Sequence, residues 1–168
     1  MAKESFNVLF LCTGNSARSQ IAECLLNRLG RGHLKAYSAG SHPAGEVNTH
    51  ALELLRSHGH AVEHLRSKDW AEFEAEDAPT MDLVITVCDN AAEETCPVWP
   101  GRPMTAHWGL ADPAIVKGTE AQRRNAFTEV YRELNGRLEI LVSLISENLD
   151  RSSVEHKIRQ LGIARQAI

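Results

Sequence analysis

Apolar positions along the chain change period at regular intervals. Residues 6 to 12, Phe-Asn-Val-Leu-Phe-Leu-Cys, form a nearly continuous apolar run of strand length, the pattern of a strand buried on both faces of a parallel sheet. The run stops at Thr13-Gly14-Asn15-Ser16. Beyond it Ile21, Ala22, Leu25, Leu26 and Leu29 recur at helical spacing, with Gly30 and Gly32 as stop signals. Residues 34 to 39 predict a second short strand. Val47 to His58 predicts a helix with Asn48 or Thr49 as N-cap, an apolar face of Ala51, Leu52, Leu54 and Leu55, and Gly59 closing it. Asp82 to Cys88 predicts a third buried strand through Leu83, Val84, Ile85 and Val87, and Met104 to Trp108 a shorter fourth.

Thr119-Glu120-Ala121-Gln122 has the spacing of a capping box. Phe127, Val130, Tyr131, Leu134, Leu138, Leu141, Val142, Ile145 and Leu149 then mark one face of a long helix whose stripe covers the sheet. Ser152 with Glu155 suggests a second capping box, opening a terminal helix through Val154, Ile158 and Leu161 that ends at Gly162. Strands alternating with helices imply parallel βαβ units with right-handed crossovers. The expected fold is therefore α/β, a three-layer arrangement with residues 1–168 as a single domain. The longest irregular stretch, Asp89 to Arg102, holds two prolines and a cysteine, and long loops in compact domains are often functional.

Composition narrows the function classes. Hydrophobic residues make up 43% and charged ones 24% of the chain, which fits a globular protein. Lys and Arg number 18 against 22 Asp and Glu, so no broad cationic surface exists for nucleic acid or anionic lipid, and any anion site is local. No apolar run approaches the ~20 residues that cross a bilayer, and Met-Ala-Lys-Glu-Ser lacks a signal-peptide pattern. A cytoplasmic protein is expected. Cys12, Cys24, Cys88 and Cys96 are too few for a disulfide scaffold, which points to chemical thiols. Cys24 falls among apolar helix positions and reads as core.

Thr13 to Ser19 links a buried strand to a helix, where backbone N–H groups converge beside the positive end of the helix dipole. Thr13, Gly14, Asn15, Ser16, Ala17, Arg18 and Ser19 are the expected oxyanion-binding residues. Arg18 lies six positions after Cys12, so a curled loop can aim both sulfur and guanidinium at one tetrahedral anion. The same surroundings favour the thiolate. Gly14 and Asn15 tolerate the left-handed backbone that such a turn demands. No Gly-Lys-Ser/Thr follows, which argues against a nucleotide P-loop.

With these residues in view, the sequence resembles the low-molecular-weight protein tyrosine phosphatase superfamily and the arsenate reductases that share its fold. The resemblance rests on Cys12 to Glu23 (C-T-G-N-S-A-R-S-Q-I-A-E), Tyr37-Ser38-Ala39-Gly40, the Val47 to Leu55 helix and His107 to Pro113 (H-W-G-L-A-D-P). It implies a four-stranded parallel sheet flanked by helices, Cys12 as nucleophile, Arg18 as clamp, Ser19 as donor to the thiolate and Asn15 as the residue shaping the loop. It also implies Asp112 as general acid on a loop over the cradle, a role that needs reach and a raised pKa.

Cys88 ends the third predicted strand and Cys96 lies eight residues later. Ends of parallel strands gather at one edge, which places Cys88 near Cys12. Taken alone, the pair also reads as a buried strand thiol and a loop thiol, while zinc is disfavoured by the spacing. Similarity to three-cysteine arsenate reductases implies a relay. Cys12 attacks arsenate, Cys88 attacks Cys12 and expels arsenite, and Cys96 or Cys24 then resolves Cys88. The loop must move for the last exchange, because disulfides need Cα atoms within about 7 Å. The resemblance further implies an external reductant, thioredoxin or glutathione with glutaredoxin, and a potassium ion near the cradle with Asn15, Glu23, Ser67 and Asp69 at matching positions. No tightly bound cofactor and a monomer are expected, with phosphate or sulfate as substrate analogues.

His33, His42, His50, His58, His60, His64 and His156 fall mostly in polar stretches and read as exposed, whereas His107 is a support for the Asp112 loop. The first alternative is a phosphatase acting on phosphate monoesters through a cysteinyl-phosphate. Ala114-Ile115-Val116 follows Asp112-Pro113 where such relatives often carry tyrosines, and Trp99 and Trp108 are the remaining aromatic candidates for a cleft. A non-catalytic oxyanion sensor would need neither nucleophile nor acid.

Overall fold

The computed structural model describes residues 5–94 and 97–163. Four strands, β1 (Phe6–Leu11), β2 (Leu34–Ala39), β3 (Leu83–Thr86) and β4 (Met104–His107), form one sheet in the order β2-β1-β3-β4. All three pairings are parallel, with Leu9 of β1 opposite Tyr37 and Val84. The continuous apolar run of β1 follows from its central place. Val8 and Phe10 enter one core and Leu9 and Leu11 the other, because successive side chains of a strand take opposite faces.

The first core is closed by helices α1 (Arg18–Leu29), α2 (Thr49–Ser57), α4 (Glu120–Ser146) and α5 (Arg151–Ile163), and a one-turn helix α3 (Asp89–Glu93) follows β3. On the other face Phe73, from a 3-10 turn at Trp70–Phe73, packs with Met81 and Trp99. Helix ends follow the predicted chemistry in most places. Asn48 caps α2 by accepting from His50 and Ala51 N–H, and Thr119 with Gln122 forms the capping box of α4. Among the described residues no helix is long and apolar enough to cross a membrane.

Three local expectations are corrected. The terminal helix opens at Arg151 rather than Ser152: Asp150 accepts from the Ser153 N–H at 3.1 Å and hydroxyl at 2.7 Å. Glu155, freed from capping, instead accepts the Thr105 N–H on β4 at 3.0 Å, and Arg159 donates to the Thr105 carbonyl at 2.8 Å. Gly162 does not end this helix but lies within it, where a Cβ would collide with the His107 carbonyl. Above it Trp108 is fully buried and donates its indole N–H to the Ile158 carbonyl at 2.9 Å. The stretch from Asp89, expected to be irregular, begins with α3.

Gly162→Ala is therefore expected to cost about 1–3 kcal/mol by overpacking. Gly136→Ala, at an exposed α4 position with open space around it, should instead stabilise by about 0.4–1 kcal/mol. Urea midpoints of the two variants test this difference in sign.

Candidate active site

Cys12 and Cys88 leave the ends of β1 and β3, adjacent strands of the sheet, and both thiols are buried. The segment after Cys12 is shaped from outside. The carbonyls of Thr13, Gly14 and Ser16 accept N–H groups of His42, Ala44 and Asn48, each at 2.9 Å. A trans peptide points its C=O and N–H in opposite directions, so these anchors turn the N–H groups of Gly14, Asn15 and Ala17 into the loop. The Gly14 N–H favours the charged form of Cys12. The expected cradle thus has a physical cause in the chain between β2 and α2.

Asn15 alone among the expected pair takes a left-handed backbone, with φ of 45°; Gly14 does not, which corrects that part of the expectation. The strained turn is held by side-chain bonds. Asn15 Oδ1 accepts the Lys68 N–H at 3.0 Å and a Gln20 amide at 3.1 Å, while its Nδ2 donates to Ser19 Oγ at 2.8 Å. Donation into Ser19 Oγ leaves the hydroxyl proton of Ser19 to point elsewhere. The glycine that matters for space is Gly40, where a Cβ would strike the carbonyls of Thr13 and Cys12. Its signal was present in Tyr37-Ser38-Ala39-Gly40, but the reason for it is a contact between distant segments.

Arg18 donates to the Leu110 carbonyl at 3.0 Å and its other terminal nitrogen lies 3.5 Å from Asp112 Oδ2. Asp112 Oδ1 accepts the Ala114 N–H at 3.0 Å, capping the 3-10 turn Pro113–Ile115. The clamp and the expected acid are therefore brought together. Cys88 is held against the loop by the Thr13 N–H, 3.3 Å from its Sγ. The two buried thiols interact directly, and that interaction, with N–H groups of Thr13 and Ala91, pulls Cys88 down to about 5 against the effect of burial. The same interaction and burial push Cys12 above the ordinary thiol range, with Arg18 opposing. The opposite shifts belong to the pair rather than to either thiol, and they favour one negative charge shared between the two sulfurs. Cys24 is buried in α1, as expected of a core residue, and Cys96 lies outside the described residues.

A family model for low molecular weight phosphotyrosine protein phosphatase matches residues 7–155. The chain belongs to this family. An arsenate reductase of Bacillus subtilis is 35% identical over 131 residues, covering 78% of this chain and 91% of the relative. The arsenate reductase of Bacillus licheniformis matches with the same identity and coverage. Among solved structures, an arsenate reductase in a phosphate-binding state superposes with a TM-score of 0.69 at 28% identity, covering 84% of this chain and 99% of the other. A thioredoxin-dependent arsenate reductase of Corynebacterium glutamicum gives 0.62 at 27%, covering 87% of this chain and 66% of the other.

The residues expected to hold potassium in this family member do not fit the ion. Asn15 Oδ1 already accepts two N–H groups, Ser67 donates to the Gly14 carbonyl at 3.0 Å, and Asp69 caps the 3-10 turn through the Ala71 N–H at 2.8 Å. The cation beside Glu23 is the ammonium of Lys68, 3.9 Å from Oε1 and 2.9 Å from the Ser38 carbonyl. Burial lowers the Lys68 pKa and Glu23 opposes that fall. Two histidine expectations are also corrected. His60 is buried against the Tyr131 hydroxyl at 2.9 Å, and desolvation, with the charges of Arg28 and His58, lowers its pKa to about 4. His107 bonds Thr86 at 2.7 Å and Asp89 at 2.9 Å, so it steadies α3 rather than the Asp112 loop.

Melting temperature and initial rate should be the same in potassium and sodium chloride; a potassium-specific rise in either would contradict the fit. Thiolate absorbance should persist in the reduced protein down to about pH 5. Cys12→Ala removes the main cause of the low Cys88 pKa, so the remaining Cys88 titration is expected to move upward, towards ordinary thiols.

Proposed function

We propose that this chain reduces arsenate to arsenite, with Cys12 and Cys88 as successive nucleophiles. The observation that carries the reading is the pair of buried, mutually interacting thiols at the loop between β1 and α1. Hydrolysis through a cysteinyl intermediate needs one thiol there; reduction needs a second within reach of the first. The relatives named arsenate reductase support the same chemistry.

In the first step the Cys12 thiolate attacks arsenic while loop N–H groups and Arg18 hold the other oxygens. A sulfur–arsenic bond forms and an arsenic–oxygen bond breaks, the oxygen leaving as water with a proton from Asp112. Cys88 then attacks Cys12 Sγ. The disulfide forms, the sulfur–arsenic bond breaks, and its electron pair stays on arsenic, which falls from As(V) to As(III) and departs as arsenite. Cys96 next attacks Cys88, releasing Cys12, and an external dithiol reduces the Cys88–Cys96 disulfide. Thioredoxin is the reductant favoured by the Corynebacterium neighbour, with glutathione and glutaredoxin as the competing donor. The working form is a cytoplasmic monomer serving arsenic detoxification.

Phosphate monoesters fit the same loop, so aryl phosphate hydrolysis is the second reading. Against an aromatic substrate, Trp99 packs edge-on against Trp70 with centroids 6.3 Å apart, and Trp108 is sealed beneath α5. Neither indole is free to stack on a substrate ring.

Arsenite release from arsenate, with thioredoxin or glutathione plus glutaredoxin supplied in turn, tests the reading. Cys12→Ser should abolish arsenite formation and aryl phosphate hydrolysis together. Cys88→Ser should stop arsenate reduction and spare hydrolysis; equal loss of both would contradict the relay.

A further inference from the structure

The relay leaves one proton without a destination. Cys12 becomes a thiolate when the shared proton sits on Cys88, yet Cys88 must lose that proton before it can attack in turn. Once Cys12 sulfur is bonded to arsenic it is no longer the acceptor. Among the described residues, the acceptor that touches Cys88 Sγ is the hydroxyl of Thr13, 3.7 Å away. That hydroxyl leads further, since Thr13 Oγ1 donates to Glu94 Oε1 at 3.0 Å. Glu94 is the C-cap of α3, six residues after Cys88, and its N–H bonds to the Asn90 carbonyl at 3.2 Å. Its Oε2 is buried and has no hydrogen-bond partner among the described residues. Burying an unpaired carboxylate oxygen is costly, so a role for this group needs explaining.

We propose that Glu94 takes the thiol proton of Cys88 through the hydroxyl of Thr13, which makes Cys88 the nucleophile of the second step. The inference rests on the assignment of Cys12 and Cys88 made under Proposed function. A hydroxyl that has given its proton to a carboxylate still has lone pairs for a thiol proton. As the thiol proton passes to Thr13 Oγ1, the hydroxyl proton passes to Glu94 Oε1. Cys88 ends as thiolate, Thr13 as hydroxyl and Glu94 as carboxylic acid, with no change of oxidation state. Glu94 acts through Thr13 and touches no reacting sulfur, so it is a positioning residue for the proton. The Thr13 and Ala91 N–H groups that stabilise negative sulfur make the transfer favourable at Cys88.

Other ionisable groups surround this chain of bonds. Cys12 and Arg18 lie beside Cys88, with Asp112 against Arg18, and Asp89 at the start of α3 bonds His107 of β4. His107 bonds Thr86 and Asp89 rather than Thr13 or Glu94, and His107→Gln separates any contribution of its own to a pH profile.

The test is a single turnover of the reduced full-length protein with arsenate, quenched and assayed for arsenite across the pH range. With Glu94 present the rate should be flat near neutrality. In Glu94→Gln it is expected to fall about a hundredfold near pH 6 and then climb with hydroxide towards the parent rate, as when a general base is lost. Thr13→Val should reproduce that profile, Thr13→Ser should restore the flat one, and the Glu94→Gln, Thr13→Val double variant should be no slower than either. Thr13 variants keep the question open to refutation if Glu94→Gln does not fold. An unchanged profile in Glu94→Gln, or an equal loss at every pH, would overturn the proposal. Cys88→Ser runs alongside: arsenite formed in its single turnover would overturn the thiol assignment itself, whereas a silent Cys88→Ser beside an unaltered Glu94→Gln would overturn the role of Glu94 alone.

Discussion

Three carbonyls of the loop after β1, those of Thr13, Gly14 and Ser16, are tied to the segment between β2 and α2, and each tie dictates where a neighbouring N–H can point. Much of the site depends on that constraint. With its carbonyls drawn outward, the loop turns its N–H groups inward, and Asn15 must adopt a left-handed backbone to complete the curve. The buried contacts of Asn15 with Gln20, Ser19 and Lys68 offset that strain. Lys68 in turn sits beside Glu23 and Ser38, so a polar cluster under the loop supplies its own cation.

The sheet topology adds the second thiol. Because β3 lies directly beside β1, Cys88 emerges next to Cys12, and the Thr13 N–H that follows one thiol becomes a donor to the other. Two interacting sulfurs in a partly desolvated site favour a single shared negative charge, which fixed N–H groups steady. The electrostatics of the pair are thus a property of strand order as much as of local sequence.

Strands and helix starts were readable where the signal is local. The apolar runs at 6 to 12 and 82 to 88, Asn48 as cap and the Thr119 capping box needed no knowledge of distant segments. The loop that carries Cys12 to Arg18 was readable too, because the strand-to-helix transition is contiguous. What escaped depends on contacts across the chain. Gly162 resembles a helix stop but serves the approach of α5 to β4, and Glu155 resembles a cap partner but bonds a strand. His60 lies in a polar stretch and becomes buried only because α4 brings Tyr131 over it. Lys68 and Glu94 look like ordinary surface charges until the fold turns them inward.

The two outer strands share a device with a consequence for the molecule in a crowded solution. On β2 the side chain of Asn27 bonds both the N–H and the carbonyl of Ala36, at 2.8 and 3.2 Å. On β4 Glu155 and Arg159 do the same for Thr105. An open strand edge is a template for another chain, and it invites edge-to-edge aggregation or a borrowed strand. Here side chains from α1 and α5 already occupy backbone groups on each margin, so the sheet resists growth at both ends and a visiting protein must reach the thiols by docking on loops and helices.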